Sequence, residues 1–163
     1  MEDKKICLTQ IGIIKTPHTN EVGIPIQPKG AEGIKGEIEI FEEFKDGLLH
    51  LDEFSHVYLI YVLHKMKGYK LQTIPFMDDQ IHGIFATRSP KRPCPIGLSI
   101  VKILSVKNNI IEIENVDMLN DTPLLDIKPY VPAMDNFETY KNGWLEKNHV
   151  KSKYLKADNR FKK

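Results

Sequence analysis

Three cations stand close together in Phe85-Ala-Thr-Arg-Ser-Pro-Lys-Arg-Pro-Cys-Pro-Ile-Gly-Leu-Ser99: Arg88, Lys91 and Arg92, with no acid among them. Pro90, Pro93 and Pro95 fix φ around them and withhold amide donors, so the stretch is extended and joins neither a helix nor a ladder. A stiff cationic loop suits a phosphate or carboxylate, because little ordering entropy remains to be lost on binding. It suits equally well a surface loop whose arginines pair with acids elsewhere on the chain. A second group lies in Val116-Asp-Met-Leu-Asn-Asp-Thr-Pro-Leu-Leu-Asp-Ile-Lys-Pro-Tyr130. Asp126 and Lys128 share parity and therefore one face of a strand. Such a pair is either a structural ion pair or a polarised acid–base pair, and the structural pair is the commoner.

Other chemistries find less support. His56 and His64 share parity but lie too far apart along a strand for one ion to bridge, and the chain has neither His-x-His nor His-Glu-x-x-His. Cys7 and Cys94 lie 87 residues apart, so no metal is expected. No serine sits in Gly-x-Ser-x-Gly, which argues against a hydrolase elbow. Gly30, Gly33 and Gly36 are spaced Gly-x-x-Gly-x-x-Gly, not the fingerprint that opens a dinucleotide-binding helix.

The elements that must hold these groups are mostly strands. Residues 6–15 are isoleucine-rich and stop at Pro17, and residues 36–41 alternate Ile38 and Ile40 against Glu37 and Glu39. Residues 22–36 carry glycines with Pro25 and Pro28 and read as a long irregular loop, which is uncommon in a small domain unless it is used. A short helical turn is expected near Gly47. Residues 55–64, apolar on both faces and aromatic, predict a central strand. Further strands are predicted over 81–87, 96–106, 110–116 and 123–128, with a hairpin turn at Asn108-Asn109. Only residues 136–145 and the C-terminal tail have any claim to helix. So many strands with no crossover helix predict a mainly β fold, a small closed or nearly closed antiparallel barrel that leaves few open edges.

The 163 residues suffice for one domain with a real core. Residues 1–145 are read as that domain, and residues 146–163 as a basic tail. From Lys141 onward there are eight Lys or Arg and two acids, on a body that is otherwise acidic. Such a tail is either a solvated terminus or a contact for a polyanion. The longest apolar run, residues 57–63, is far short of the roughly 20 residues of a spanning helix. The N-terminus lacks a secretory signal and two cysteines make no disulfide scaffold, so a cytoplasmic protein is expected.

Several unusual strings coincide in one order: Ile11-Gly-Ile-Ile-Lys-Thr-Pro-His18, Pro25-Ile-Gln-Pro28, Leu51-Asp-Glu-Phe-Ser-His56, Phe85-Ala-Thr-Arg-Ser-Pro90, Arg92-Pro-Cys-Pro-Ile-Gly-Leu-Ser99 and Asp121-Thr-Pro-Leu-Leu-Asp-Ile-Lys-Pro-Tyr130. With them the chain resembles the TsaA-like (TrmO) family of S-adenosylmethionine-dependent tRNA methyltransferases, over about residues 1–145. The resemblance implies a small barrel that dimerises and binds S-adenosylmethionine near the subunit interface. It implies methyl transfer to the exocyclic nitrogen of threonylcarbamoyladenosine beside the tRNA anticodon. Carried over by motif, Pro25, Ile26, Gln27, His64, Lys65, Arg88, Leu98, Val116, Asp117 and Met118 are candidate cofactor residues. Asp126 is the candidate base, with Lys128 orienting it and Tyr130 stacking on the substrate base. Arg88 is also placed on a substrate or cofactor carboxylate, and Lys91 and Arg92 on anticodon-loop phosphates.

Two positions depart from the family's pattern. Cys94 replaces the usual asparagine of Arg-Pro-Asn-Pro, and Asn120-Asp121 stands where Asp-Gly is usual, at a turn needing positive φ. The Lys-rich tail is a candidate substitute for the further C-terminal domain of longer members. The competing readings are a non-catalytic RNA-binding barrel and a methyltransferase for a small molecule.

Overall fold

A computed structural model describes residues 6–146 and 154–158, so the predicted basic tail lies outside the described residues except at 146 and 154–158. The strands are β1 (Gly12–Lys15), β2 (Lys35–Ile40), β3 (His56–Val62), β4 (Gln72–Thr73), β5 (His82–Gly83), β6 (Ile96–Lys107), β7 (Ile110–Glu114) and β8 (Thr122–Pro129). Six of them close an antiparallel barrel in the order β1-β2-β7-β6-β3-β8, and β4 and β5 form a separate two-stranded ribbon. The barrel is therefore closed, as the strand count and missing crossovers predict.

Closure follows from the period-2 pattern. Ile14, Ile38, Ile40, Val57, Leu59, Tyr61, Val101, Ile111, Ile113 and Leu124 all point inward and are buried. Burying each such side chain is worth about 1.5–3 kcal/mol. Gly97 faces the Tyr61 ring so closely that a Cβ there would overlap it. Asn108 takes the β6–β7 turn with φ of 53°, a conformation asparagine tolerates.

Three expected elements are corrected. The strand over 6–15 is confined to Gly12–Lys15, because pairing with β2 ends at the Gly12–Ile40 register; Ile6 and Leu8 are exposed. The strand over 81–87 shortens to β5, after which Ile84 turns into the core and Ile84–Ala86 forms a 3-10 turn. The helix over 136–145 is absent: a one-turn helix α1 (Pro132–Asp135) precedes it and a 3-10 turn covers Gly143–Leu145. Phe137 and Tyr140 are exposed while Trp144 stacks on His82, so the apolar residues of that stretch do not form one packed stripe to hold a helix.

Two irregularities position the site. Between Ile60 and Tyr61 of β3 the register with β8 shifts, so that Ile60 faces Asp126 and Tyr61 faces Leu124. Leu125 is the extra residue of this bulge, and it reverses the parity of β8. Leu124 thus points inward while Asp126, two residues on, points outward with Ile60. The second feature is a bridge between the loop after β1 and the C-terminal segment: Gly23 N–H donates to Ala157 O at 2.8 Å and Ala157 N–H to Ile24 O at 2.8 Å. No helix among the described residues is long and apolar enough to cross a membrane.

Candidate functional site

The end of the barrel where β3 finishes and β6 and β8 begin gathers most of the candidate cofactor residues. Pro25 is buried, and Gln27 Oε1 accepts a hydrogen bond from Arg88 Nη1 at 2.9 Å. The irregular loop predicted over 22–36 therefore meets the proline-stiffened loop at its first arginine. On the inner side of β6, Ser99 Oγ donates to Asp117 Oδ1 at 2.7 Å. Burial pushes the Asp117 carboxyl up to about 6, against the opposing pull of the Ser99 hydrogen bond and the Arg88 charge. Val116 and Met118 on either side are buried. Their carbonyls meet His18 Nε2 at 3.1 Å and the Thr16 hydroxyl at 2.9 Å.

His64 lies just past β3 at the same end. Its Nδ1 is 3.4 Å from Thr122 Oγ1, while its Nε2 is buried with no hydrogen-bond partner. Burial, reinforced by the neighbouring Lys65 charge, lowers its pKa and keeps the imidazole neutral. Lys65 itself is exposed. At the turn where the family has glycine, Asp121 adopts φ of 59° and is held by Lys15 Nζ at 2.6 Å. The turn survives the departure because aspartate is among the residues that accept this region.

The candidate catalytic group sits elsewhere on the same wall. Lys128 Nζ pairs with Asp126 Oδ2 at 2.8 Å, with both side chains substantially exposed. Asp126 Oδ1 also accepts the Ile127 N–H at 2.9 Å, which pins the carboxylate at the bulge. Leu98, Ile60 and Asp126 form one cross-strand row on the outer face. Leu98, 61% exposed, thus stands with Asp126 rather than with Asp117. Tyr130 lies toward the opposite end, donating its N–H to His56 O at 3.1 Å and meeting the Tyr58 ring edge-on at 5.4 Å. Four residues of strand, roughly 13 Å, separate Asp126 from Thr122 beside His64.

The two remaining cations of the loop diverge. Lys91 lines a groove of about 680 Å³ with Lys70, Gln72, Thr73 and Asp78. Arg92 turns inward instead: its Nη1 reaches the carbonyls of Thr87 at 2.8 Å, Ile84 at 3.2 Å and Ser89 at 3.5 Å, with the guanidinium over the Phe85 ring. It braces the turn from which Arg88 projects. Ser99, Tyr61 and Thr122 were not singled out from the sequence, although Ser99 closes one matching string and Tyr61 lies on the predicted aromatic strand. No group of three or more metal-binding side chains occurs among the described residues.

Comparison with known proteins bears on this geometry. The family profile of the tRNA-methyltransferase O N-terminal domain matches residues 13–136. A Pyrococcus abyssi protein named as a probable S-adenosyl-L-methionine-binding protein is 48% identical over 156 residues, covering 96% of this chain and 85% of that one. The tRNA (adenine(37)-N6)-methyltransferase of Escherichia coli K12 is 35% identical over 137 residues, covering 78% of this chain and 58% of the enzyme. The crystal structure of TrmO from Pseudomonas aeruginosa superposes with a TM-score of 0.72 at 31% identity, covering 86% of this chain and 63% of that chain. This chain therefore spans less than two thirds of those two enzymes, but most of the archaeal relative.

Proposed function

Because the chain belongs to the tRNA-methyltransferase O N-terminal domain family, we propose that it is an S-adenosylmethionine-dependent methyltransferase of tRNA in the cytoplasm. Its acceptor is the exocyclic adenine nitrogen of threonylcarbamoyladenosine beside the anticodon. The observation that carries this reading is His64 Nε2, a buried nitrogen left unpaired at the barrel end that also holds a half-buried carboxylate. An unsatisfied buried group costs about 1–3 kcal/mol, which a polar ligand there relieves.

The residues present fit S-adenosylmethionine. Pro25, Ile26 and Gln27 offer backbone groups and an amide. His64 and Lys65 offer a neutral donor and a cation, Val116 and Met118 a buried floor, and Asp117 an acceptor for ribose hydroxyls. Bound there, S-adenosylmethionine supplies a methyl group already activated by its sulfonium. The chain contributes alignment, which is worth up to roughly 7–11 kcal/mol of barrier. It also accepts the proton of a weakly nucleophilic nitrogen, typically worth about 10²–10⁴-fold. Asp126 takes that proton, Lys128 holds the carboxylate in place, and Tyr130 meets the tRNA beyond the reacting base. Arg88 binds the threonyl or cofactor carboxylate, and Arg92 keeps it aimed.

Asp126 and Leu98 face outward, whereas Asp117 bonds the inward-facing Ser99 from the β7–β8 connection, so we assign the complete site to a homodimer. A second copy on the wall of β6, β3 and β8 covers Leu98 and brings the acid–base pair of one copy to the cofactor end of the other. Lys91, Lys70 and the basic tail contact tRNA phosphates, and the exposed Tyr154 lies on the segment that pairs with the cofactor loop.

The test combines cofactor titration with methyl transfer to tRNA carrying the modified base, to unmodified tRNA and to small amines. Saturable cofactor binding and transfer to the modified tRNA alone are expected. Tight tRNA binding with no cofactor affinity would establish a non-catalytic barrel instead, and transfer to small amines alone would establish a small-molecule enzyme.

A further inference from the structure

Behind Asp117 lies a chain of buried hydroxyls that the cofactor site does not itself use. Tyr61 Oη is 3.0 Å from Ser99 Oγ, and Ser99 Oγ is 2.7 Å from Asp117 Oδ1. Tyr61 is 5% exposed and Ser99 3%, so neither hydroxyl is free to bond water instead. A serine hydroxyl carries one proton. When Asp117 is ionised that proton goes to the carboxylate, and Ser99 then accepts from the Tyr61 phenol. All donors of the chain point one way, toward the charge. Protonating Asp117 removes the reason for that order. Gly97 is part of the device, because only a residue without a Cβ leaves room for the Tyr61 ring against β6.

We propose that Ser99 and Tyr61 are positioning residues: a two-hydroxyl relay, seated by Gly97, that keeps Asp117 ionised and aimed at the cofactor ribose, so that cofactor affinity depends on pH. This rests on the reading of Asp117 as a cofactor ligand. The groups facing Asp117 are Ser99 from β6, Tyr61 from β3 and Arg88 from the proline-stiffened loop, with His18 one peptide away at the Val116 carbonyl. Of these, Arg88 and Ser99 favour the anion and burial opposes it. The balance leaves the carboxyl titrating within an accessible range, where loss of one donor is visible as a displaced midpoint.

The experiment measures the S-adenosylmethionine dissociation constant of the full chain between pH 5 and 8 by calorimetry. The proteins are wild type, Ser99→Ala, Tyr61→Phe and Asp117→Asn, with thermal melts to verify folding. Wild type should lose affinity by about tenfold per unit of pH below its midpoint, as binding tied to one ionised group requires. Ser99→Ala should move that midpoint up by about one pH unit, the scale of a hydrogen bond to a charged group. Tyr61→Phe, which keeps the ring packing, should move it upward by less. Asp117→Asn should bind weakly and keep only the pH dependence of the His64 imidazole, whose pKa burial lowers. A wild-type midpoint retained in both Ser99→Ala and Tyr61→Phe, with Asp117→Asn behaving as stated, would overturn the relay and leave the cofactor site standing. Full affinity and an unchanged profile in Asp117→Asn would instead remove Asp117 from the site.

Discussion

Asp117, in the cofactor role proposed for it, would trade stability for binding. In the folded protein its carboxyl titrates near 6, well above an ordinary aspartate, because it is buried. Between about pH 4 and 6 the folded state therefore holds a proton that the unfolded chain has lost, and stability falls as pH rises through that window. Above it, the ionised carboxylate costs at most about 3 kcal/mol. Asp117→Asn should accordingly raise unfolding free energy at pH 8 by on the order of 2–3 kcal/mol, with the gain gone by pH 4; urea denaturation at both pH values measures it. His64 has the opposite sign. Its pKa is lowered by burial, so the unfolded chain takes up a proton first and stability is lost as pH falls below about 6.5. Asp126 is tested through the catalytic role proposed for it. Asp126→Asn should cut single-turnover methylation by about 10²-fold or more while leaving cofactor affinity within twofold.

At the scale of elements, the prolines of the loop stiffen it, but Arg92 gives it shape. Its Nη1 reaches three carbonyls of one turn while the planar guanidinium lies over the Phe85 ring, a combination that an ammonium on a flexible stem does not match. Arg92→Lys should therefore cost about 1–2 kcal/mol in thermal unfolding and weaken cofactor binding through Arg88. Its tRNA affinity should keep the wild-type salt dependence; a reduced slope would make Arg92 a phosphate contact instead. Arg88, Lys91 and Arg92 were legible as a cationic group, but nothing in a charge pattern tells which arginine turns inward. The same boundary runs through the fold. Alternation at Ile38 and Ile40 and the asparagines at 108–109 announce strand and hairpin, because those signals are local. Asp126 and Lys128 were legible as neighbours by parity. The Leu125 bulge that turns Asp126 away from Leu124 was not, because its cause lies in the partner strand. Asp117, Ser99 and Tyr61 meet across separations of 18 and 38 residues, which no periodicity reports.

For the whole molecule, the proposed reaction makes the arrangement of one wall a question of how many copies take part. The inner side of that wall carries Ser99, to which Asp117 is bonded from the β7–β8 connection, and the outer side carries Leu98 and Asp126. With the roles proposed above, a single copy would have to bring Asp126 from the outer face and Asp117 from the β7–β8 connection to one acceptor atom, whereas in the proposed dimer two copies meet face to face, each lending its outer side to the other. A two-fold dimer then holds two equivalent sites, each built from both chains. Asp117→Asn and Asp126→Asn variants should each be nearly inactive alone. Mixed under conditions of subunit exchange, half the dimers are heterodimers, and each contains one site free of either substitution, so activity should recover to about a quarter of wild type. Leu98→Asp should shift the chain toward monomer in sedimentation and block the recovery, because it places a charge in the centre of the shared face. If the mixture stayed as inactive as its components while heterodimers were demonstrably formed, both carboxylates would have to act within one chain, and the outer wall would need another partner.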